Sequence, residues 1–501
     1  MLEDNRTPTE IFARILRERG IDLSLEQERD AQLYLEEDTQ CAIIDAIKKH
    51  EDDLMSGLHL RQRLNDIKLQ SWNIPNAKAG TFYDELFDVK ALKIEDLEID
   101  SIAGLEPLGL SWDKLTNRVT GTPTQAGTSE LSVKYAIKTK KNKIASFTEN
   151  YYTKTVRFIV NPDPRSLWKD IPTDPEAPLW KEDDEMEAVH LGDRHLVVCS
   201  KRGRSHKHKG SFRDDHYSVQ HLNENGWSVI AVSDGAGSAT YSREGSKIAC
   251  EAIITYFQSL AQDPENNALR KLDENLIAMG ERLNEQYFNE LKNEVKGKLL
   301  YPAATYAHEE IKKAVENIAE AHPDYFKTEN LSEQIGYFHA TLIYSLFKKF
   351  EFGYVILTFG VGDCPISVVY RDEQDARQVR LLNKLDVGEY GGGTRFITQH
   401  RIFTEEAAIP PADRFNIEVI PHFEFMFLMS DGIYDPKFEV EANLEKAAHW
   451  VSFIEDLEGE NEDNVSVDFD ADNPDMAKQL SDWMDFFSKG NHDDRTLAVV
   501  F

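Results

Sequence analysis

The sequence predicts a multidomain α+β protein, on three observations. Its 501 residues exceed what one hydrophobic core usually organises, and 41% apolar residues are enough to bury at least two. Residues 1 to about 70 carry apolar positions at helical spacing, whereas residues from about Ile74 to Val160 carry short alternating runs between Gly, Pro and Thr turns. From about His190 onward, strong strand patterns mix with long helical ones.

The helical segment, residues 1–70, rests on "EIFARILRERG" and "CAIIDAIKKHEDDLMSGLHLRQRL", with Gly20 as a stop. Residues 72–162 read as a small all-β sandwich, with "LSVKYAI" and "KTVRFIV" as strands. Within it, Gly121 and Pro123 are expected to make a turn and Gly127 to re-aim the chain into the next strand. The stretch "LGLSWDKLTNRVTGTPTQAGTSELSVKYAI" resembles the immunoglobulin-like and cadherin-like modules of bacterial proteins. The match lies at Leu110, Ser111, Thr116, Gly121, Thr122, Pro123, Gly127 and Thr128. That resemblance implies a fold and a binding or spacer role toward a protein partner. Residues 163–187, rich in Pro and acid, read as a linker, and residues 188–501 as one further domain. Inside that domain, residues 263–334 read as an added insertion of solvated helices, and the helix from Ser242 should cover a sheet with Ile248, Ala252, Ile253, Tyr256 and Phe257.

Charge narrows the function. Fifty-seven Lys+Arg against 89 Asp+Glu give a formal charge of -32, which repels nucleic acid and anionic lipid. No stretch has the apolar length of a membrane span, and "MLEDNRTPTE" is too acidic for a signal peptide, so a cytoplasmic location is expected. Cys41, Cys199, Cys250 and Cys364 stand far apart with no metal-binding spacing, which favours reduced thiols.

The large domain places acidic residues at strand ends five times. "WSVIAVSDG" and "FEFMFLMSDG" each close an apolar run on Ser-Asp-Gly, at Asp234 and Asp431. "YVILTFGVGDCPISVVYRD" sets Asp363 between two apolar runs, as at the tip of a tight hairpin, while Asp214–Asp215 and Asp493–Asp494 each precede a strand. A single aspartate in a turn commonly bonds its own backbone. Five together point instead to hard divalent cations, which take oxygen ligands from rigid strand ends.

The order and spacing of these motifs resemble the metal-dependent PP2C family of serine/threonine protein phosphatases, in its bacterial branch. Asp214 and Asp215 match its leading acidic pair, Asp234, Gly235 and Gly237 its "DG.G", and Gly362 and Asp363 its "GDS" with Cys364 in place of serine. Ser430, Asp431 and Gly432 match "SDG", and Asp493, Asp494 and Thr496 its closing "DN.T", with Asp494 in place of asparagine. "FHATLIYSL" stands at a threonine-rich strand, and "GEYGGGTRFIT" fits a motif of the bacterial branch. The resemblance implies a PP2C-like β-sandwich flanked by helices. It also implies two Mn2+ or Mg2+ ions and a water activated between them for hydrolysis of phosphoserine or phosphothreonine in a protein substrate. Asp234 would bridge the ions, Asp431 and Asp493 would hold the first, and Asp214 with the Gly235 carbonyl the second. Asp215 would either support the ligands from behind or be a ligand itself, and Asp363 would stand near an optional third ion. A cognate kinase or its targets would be the partners.

The family's phosphate-binding arginine has no match, because Gly210 stands at its place. "SKRGRSHKHKGSFR" fills the gap by concentrating Lys201, Arg202, Arg204, Lys207, Lys209 and Arg213 beside Asp214. Arg204, Lys207, Lys209 and Arg213 are therefore the expected phosphate contacts, with Arg213 and His206 joining Asp234 as catalytic candidates. A dinucleotide loop at "VIAVSDGAGSAT" is disfavoured by the missing third glycine. The remaining alternative is a catalytically inactive fold of this family used as a binding module.

Overall fold

A computed structural model describes residues 7–94, 97–137, 151–263, 268–280, 285–386, 393–404 and 407–501. The "GEYGGG" part of the glycine-rich motif lies almost wholly outside them. Two compact units result, residues 1–167 and 168–501.

The first unit opens with α1 (Pro8–Glu18), α2 (Leu25–Leu35) and α3 (Asp38–Leu69). Thr7 and Glu10 cap α1 reciprocally, and Gly20, at φ +68°, turns the chain after it. Among the described residues, seven strands follow: β1 (Ala77–Lys78), β2 (Tyr83–Leu86), β3 (Leu97–Ala103), β4 (Leu110–Asp113), β5 (Arg118–Gly121), β6 (Gly127–Ile137) and β7 (Tyr152–Asn161). They form two sheets, ordered β1-β7-β6-β3 and β2-β5-β4. The two expected runs are β6 and β7, paired antiparallel with Leu131 opposite Val156. Gly121 is required at its corner, because a Cβ there would lie 2.2 Å from the Gly109 carbonyl oxygen. Trp72, Phe87, Val119, Leu131 and Phe158 share one core with Ile67 of α3, so the helical segment and the sheets form one unit.

The second unit begins with an arm, residues 168–183, and continues into β8 (Asp184–Leu191), β9 (Arg194–Lys201), α4 (Arg204–Lys209), β10 (His216–Leu222) and β11 (Trp227–Ser233). Among the described residues, five helices come next: α5 (Ser242–Gln262), α6 (Ala268–Met279), α7 (Glu285–Val295), α8 (Tyr301–Ala321) and α9 (Leu331–Gly336). The chain then runs through β12 (Leu342–Phe350), β13 (Gly353–Val361), β14 (Ile366–Arg371), β15 (Arg377–Leu381), β16 (Phe415–Ile420) and β17 (Phe425–Met429). It closes with α10 (Asp431–Phe438), α11 (Ala447–Leu457), α12 (Met476–Trp483) and β18 (Arg495–Val500).

Two antiparallel sheets result, β10-β11-β12-β13-β16 and β15-β14-β17-β18-β9-β8. They face each other across Val198, Ile230, Val232, Ile343, Val368, Leu428 and Ala498. The period of two along β11 sends Ile230 and Val232 into this layer and Trp227, Val229 and Ala231 to the helices outside, which explains its continuous apolar run. Helices α5 and α8 cover the first sheet, while α10, α11 and α12 cover the second.

Three expectations are corrected. The insertion is helical but not merely solvated: Ala303, Ala304, Ala307, Ile311 and Val315 of α8 are fully buried against α5 and its sheet. The tight hairpin around Asp363 does not form, because β13 pairs with β12 and β16 while β14 pairs with β15 and β17. Asp363 therefore lies where the chain crosses between sheets. Residues 168–187 are no free linker; they belong to the second unit, and β8 already starts at Asp184.

Candidate metal centre

Strand register gathers the acidic corners at one end of the two sheets. His216 opposes Ser233, which brings Asp214 and Asp215 to the end of β11, where Asp234 sits. Asp234 also donates its amide to Thr341 Oγ1 at 2.9 Å and accepts the Thr341 amide at 2.8 Å, which locks it to the start of β12. Met429 opposes Leu497 and Thr496 opposes Ser200, so Asp431, Asp493–Asp494 and the chain after β9 meet at the same end of the second sheet.

The glycines beside these acids are there for packing. A Cβ on Gly235 would lie 2.6 Å from the Asp214 carbonyl oxygen, one on Gly432 1.9 Å from that of Asp494, and one on Gly203 2.3 Å from the Asp493 carbonyl carbon. Gly362, at φ +102°, would drive a Cβ to 2.4 Å from Thr341 Cγ2. Each glycine lets one acid-bearing corner close on another.

Asp234, Asp363, Asp431 and Asp493 line a cavity of about 360 Å³, together with Gly235, Ser238, Thr394 and Phe396. No lysine or arginine lines it among the described residues. Asp363 Oδ2 accepts from Thr394 Oγ1 at 2.6 Å, but Asp363 Oδ1 and Asp431 Oδ1 are buried without a hydrogen-bond partner. Burial, then the neighbouring carboxylates of Asp431, Asp215, Asp363 and Asp493, hold the Asp234 carboxyl well above the usual range. Burial with Asp363, Asp493 and Asp215 does the same to Asp431. Cys364 Sγ lies within 4.8 Å of oxygens of Asp234 and Asp363, but burial, then those carboxylates, push its thiol well up. This leaves crowded carboxylates with orphaned oxygens as the donors, and these fit a hard divalent cation.

The leading acidic pair divides its work. Asp215 is buried, and its Oδ2 accepts from Thr496 Oγ1 at 2.8 Å; burial, then Asp494, pushes its carboxyl up to about 7. Asp214 lies to one side, where its Oδ2 is 3.8 Å from His206 Nε2, and burial with Asp494 likewise raises it to about 7. Asp494 turns away from the cavity. It accepts the amides of Gly203 and Asp214 and sits 2.9 Å from His206 Nδ1. Burial alone would lower the His206 imidazolium, but Asp494 and Asp214 raise it to about 9. Aspartate in place of asparagine thus gives the histidine a charged partner.

The basic segment is placed otherwise than expected. Arg213 is fully buried, with Nη2 2.8 Å from Glu185 Oε2, Nη1 donating to the Ser200 carbonyl and Nε to that of Glu182. It cannot reach a phosphoryl group. Lys201 is buried on Asp485 at 2.7 Å, and Arg202 on Asp170 and Asp183. Arg204 donates to the Asp485 carbonyl and lies over the Phe487 ring. Gly210, at φ +72°, terminates α4 beneath Ile171, which is why no arginine stands there. Only Lys207 and the exposed Lys209 keep their ammonium groups outside ion pairs among the described contacts, and Lys209 acts electrostatically on Asp493.

Sequence reasoning gave no role to Thr341, Thr394 or Lys181, and none to Asp494 beyond its place in the last acidic corner. Thr341 lay within a quoted threonine-bearing strand and Asp494 was visible as a substitution. Lys181 carried no signal.

The profile described as protein phosphatase 2C matches residues 202–485, more than half of the chain. The chain belongs to the protein phosphatase 2C family. No curated protein matches it. Solved structures similar to it include the serine/threonine phosphatase Stp1 from Staphylococcus aureus, 15% identical over 64% of this chain and 98% of that one, TM-score 0.31. Another is the catalytic domain of the serine threonine protein phosphatase PstP in complex with 2 manganese ions, 14% identical over 61% and 96%, TM-score 0.33. A third is serine-threonine phosphatase 2C from Toxoplasma gondii, 11% identical over 64% and 98%, TM-score 0.34.

Proposed function

We propose that the chain is an active, metal-dependent phosphatase that hydrolyses phosphoserine and phosphothreonine in phosphorylated proteins, with two Mn2+ or Mg2+ ions and an optional third. One observation carries this reading: Asp234, Asp363, Asp431 and Asp493 face one cavity with two orphaned carboxylate oxygens and no compensating lysine or arginine among the described residues lining it. Asp234, Asp431 and Asp493 would hold one ion, Asp234, Asp214 and the Gly235 carbonyl the other, and Asp363 a third. Bound divalent cations supply charge to neutralise the phosphoryl oxygens and acidify a coordinated water.

The chain's own groups do the rest. Thr341 and Ser430 fix the corners bearing Asp234 and Asp431 through backbone and hydroxyl bonds, so the carboxylates need not reorganise. His206, charged at neutral pH on Asp494, holds a proton at Nε2 beside Asp214, and in this reading it is the candidate general acid for the leaving alkoxide. Ser238 and Thr394 offer hydroxyls, and Phe396 an apolar wall, to the substrate chain. The two-sheet module of the first unit serves in this reading as an immunoglobulin-like binding domain for a protein partner. A cytoplasmic setting agrees with the finding that no helix of the described residues is long and apolar enough to cross a membrane.

The purified protein should hydrolyse p-nitrophenyl phosphate and phosphothreonine peptides only with Mn2+ or Mg2+, and lose that activity in EDTA. Full turnover in excess chelator would overturn the mechanism; metal uptake without turnover would leave the inactive binding module.

A further inference from the structure

The arm that precedes the family match grips the backbone on which the proposed metal ligands are mounted. Residues 168–183 lie wholly outside residues 202–485, and all but one of them are at least partly solvent-exposed. The exception is Lys181, which is 6% exposed. Its Nζ donates to the Asp215 carbonyl at 2.6 Å and approaches the Arg243 carbonyl at 3.5 Å. Arg243 returns the grip from the start of α5: Nη2 donates to the Pro178 carbonyl at 2.7 Å and Nε to that of Leu179 at 2.8 Å. A third Arg243 bond, from Nη1 to the Thr240 carbonyl at 2.9 Å, ties the clasp to the loop that leaves Asp234.

The two halves depend on each other. Bound to the arm, Arg243 keeps its charge where it acts on Asp214. Lys181 holds the Asp215 carbonyl, one peptide beyond the Asp214 carbonyl that packs against Gly235, where the missing Cβ has made room for it. A buried lysine and a buried arginine spending their donors on five main-chain carbonyls at this place hold backbone, not substrate.

We infer that the arm is a built-in part of the metal centre, with Lys181 as a positioning residue that sets the Asp214–Asp215 corner for the second ion. The inference rests on the metal-dependent reading above. Partners that orient metal ligands are worth about 10- to 100-fold in metal affinity.

The test uses the full chain. Lys181→Met keeps an unbranched side chain one atom shorter and removes its donor. Provided it melts cooperatively, its calorimetric affinity for Mn2+ should fall by about 10- to 100-fold. A folded variant with wild-type Mn2+ affinity overturns the inference, whatever its melting temperature. Should Lys181→Met fail to fold, hydrogen exchange of the wild-type chain with and without Mn2+ decides. The inference requires amides of residues 176–183 to slow on metal binding, because coupling between two sites is reciprocal. Unchanged exchange there, with slowing around Asp214 and Asp234, overturns it. A wild-type chain that takes up no Mn2+ at all overturns the phosphatase reading itself, and that outcome is distinct from the others.

Discussion

Acidic and basic side chains near the candidate metal centre are used in opposite ways. Asp234, Asp363, Asp431 and Asp493 converge from four strand ends on one cavity, and two of their oxygens remain without a partner. The arginines and Lys201 of residues 200–213 sit on carboxylates, carbonyls or a ring. Both groups stand out in the sequence as local concentrations of charge. What separates them is compensation: charge that the fold leaves unbalanced at great desolvation cost is waiting for a ligand, while charge that it balances is holding structure.

The strongest way to break this contrast is at Asp234. Asp234→Asn keeps size and hydrogen bonding but removes the central carboxylate, so turnover should fall by more than about a hundredfold, beyond what outer partners of a metal site cost. Thermal stability without metal should hold or rise, because a crowded buried charge is gone. Turnover within tenfold of wild type would show that Asp234 is not a ligand.

Arg213→Met should do the reverse. Its loss removes one partner of the half-buried Glu185 and strands the carbonyls of Glu182 and Ser200, and an unsatisfied buried acceptor costs about 1–3 kcal/mol. Denaturant melts should show this loss, while KM for p-nitrophenyl phosphate in the folded fraction stays near wild type. A stable Arg213→Met protein with a sharply raised KM would return the arginine to the phosphate.

These contrasts also show how far the sequence could be read. Apolar runs ending in Asp-Gly located the acidic corners, since a strand buried on both faces leaves a continuous signal and its end is a fixed mount. Helix-period segments located α1, α3 and α5 for the same reason. The fate of Arg213 was not legible, because Glu185, its partner, is 28 positions away on a strand that looked like the end of a linker. The crossing at Asp363 was read as a hairpin because adjacency in sequence says nothing about which sheet the next strand joins. Lys181 was hidden for a related reason: its partners are main-chain carbonyls, which any sequence supplies.

Proton competition sharpens the acidic half of the comparison. With carboxyls of Asp214 and Asp215 raised to about 7 and those of Asp234 and Asp431 higher than usual, the metal-free protein holds protons that a cation must displace. Apparent Mn2+ affinity should therefore rise from pH 6 to pH 8, with proton release visible as a buffer-dependent binding enthalpy. The sign for stability follows from the same shifts. Folded carboxyls raised above the ordinary 3.8 bind more protons than the unfolded chain, so their contribution to metal-free stability falls as pH climbs from there through about 7. Mn2+ should cancel that decline. An affinity independent of pH would mean the carboxylates are already ionised and solvated.

The smallest effect is expected at Lys209, an exposed cation of the basic segment with a bearing on the site. It stands at the end of α4 and acts on Asp493 without an ion pair. An exposed ammonium on a flexible stem can attract a phosphorylated substrate but cannot be fixed against the transition state. Lys209→Ala should therefore raise KM by about two- to threefold at low ionic strength, leave kcat unchanged, and lose even that effect in 0.5 M salt, where the screening length falls to about 4 Å. A loss of kcat/KM beyond tenfold that persists in high salt would place Lys209 on the phosphoryl group. The basic segment would then keep one functional cation, and the division between unbalanced acids and balanced bases would end at the tip of α4.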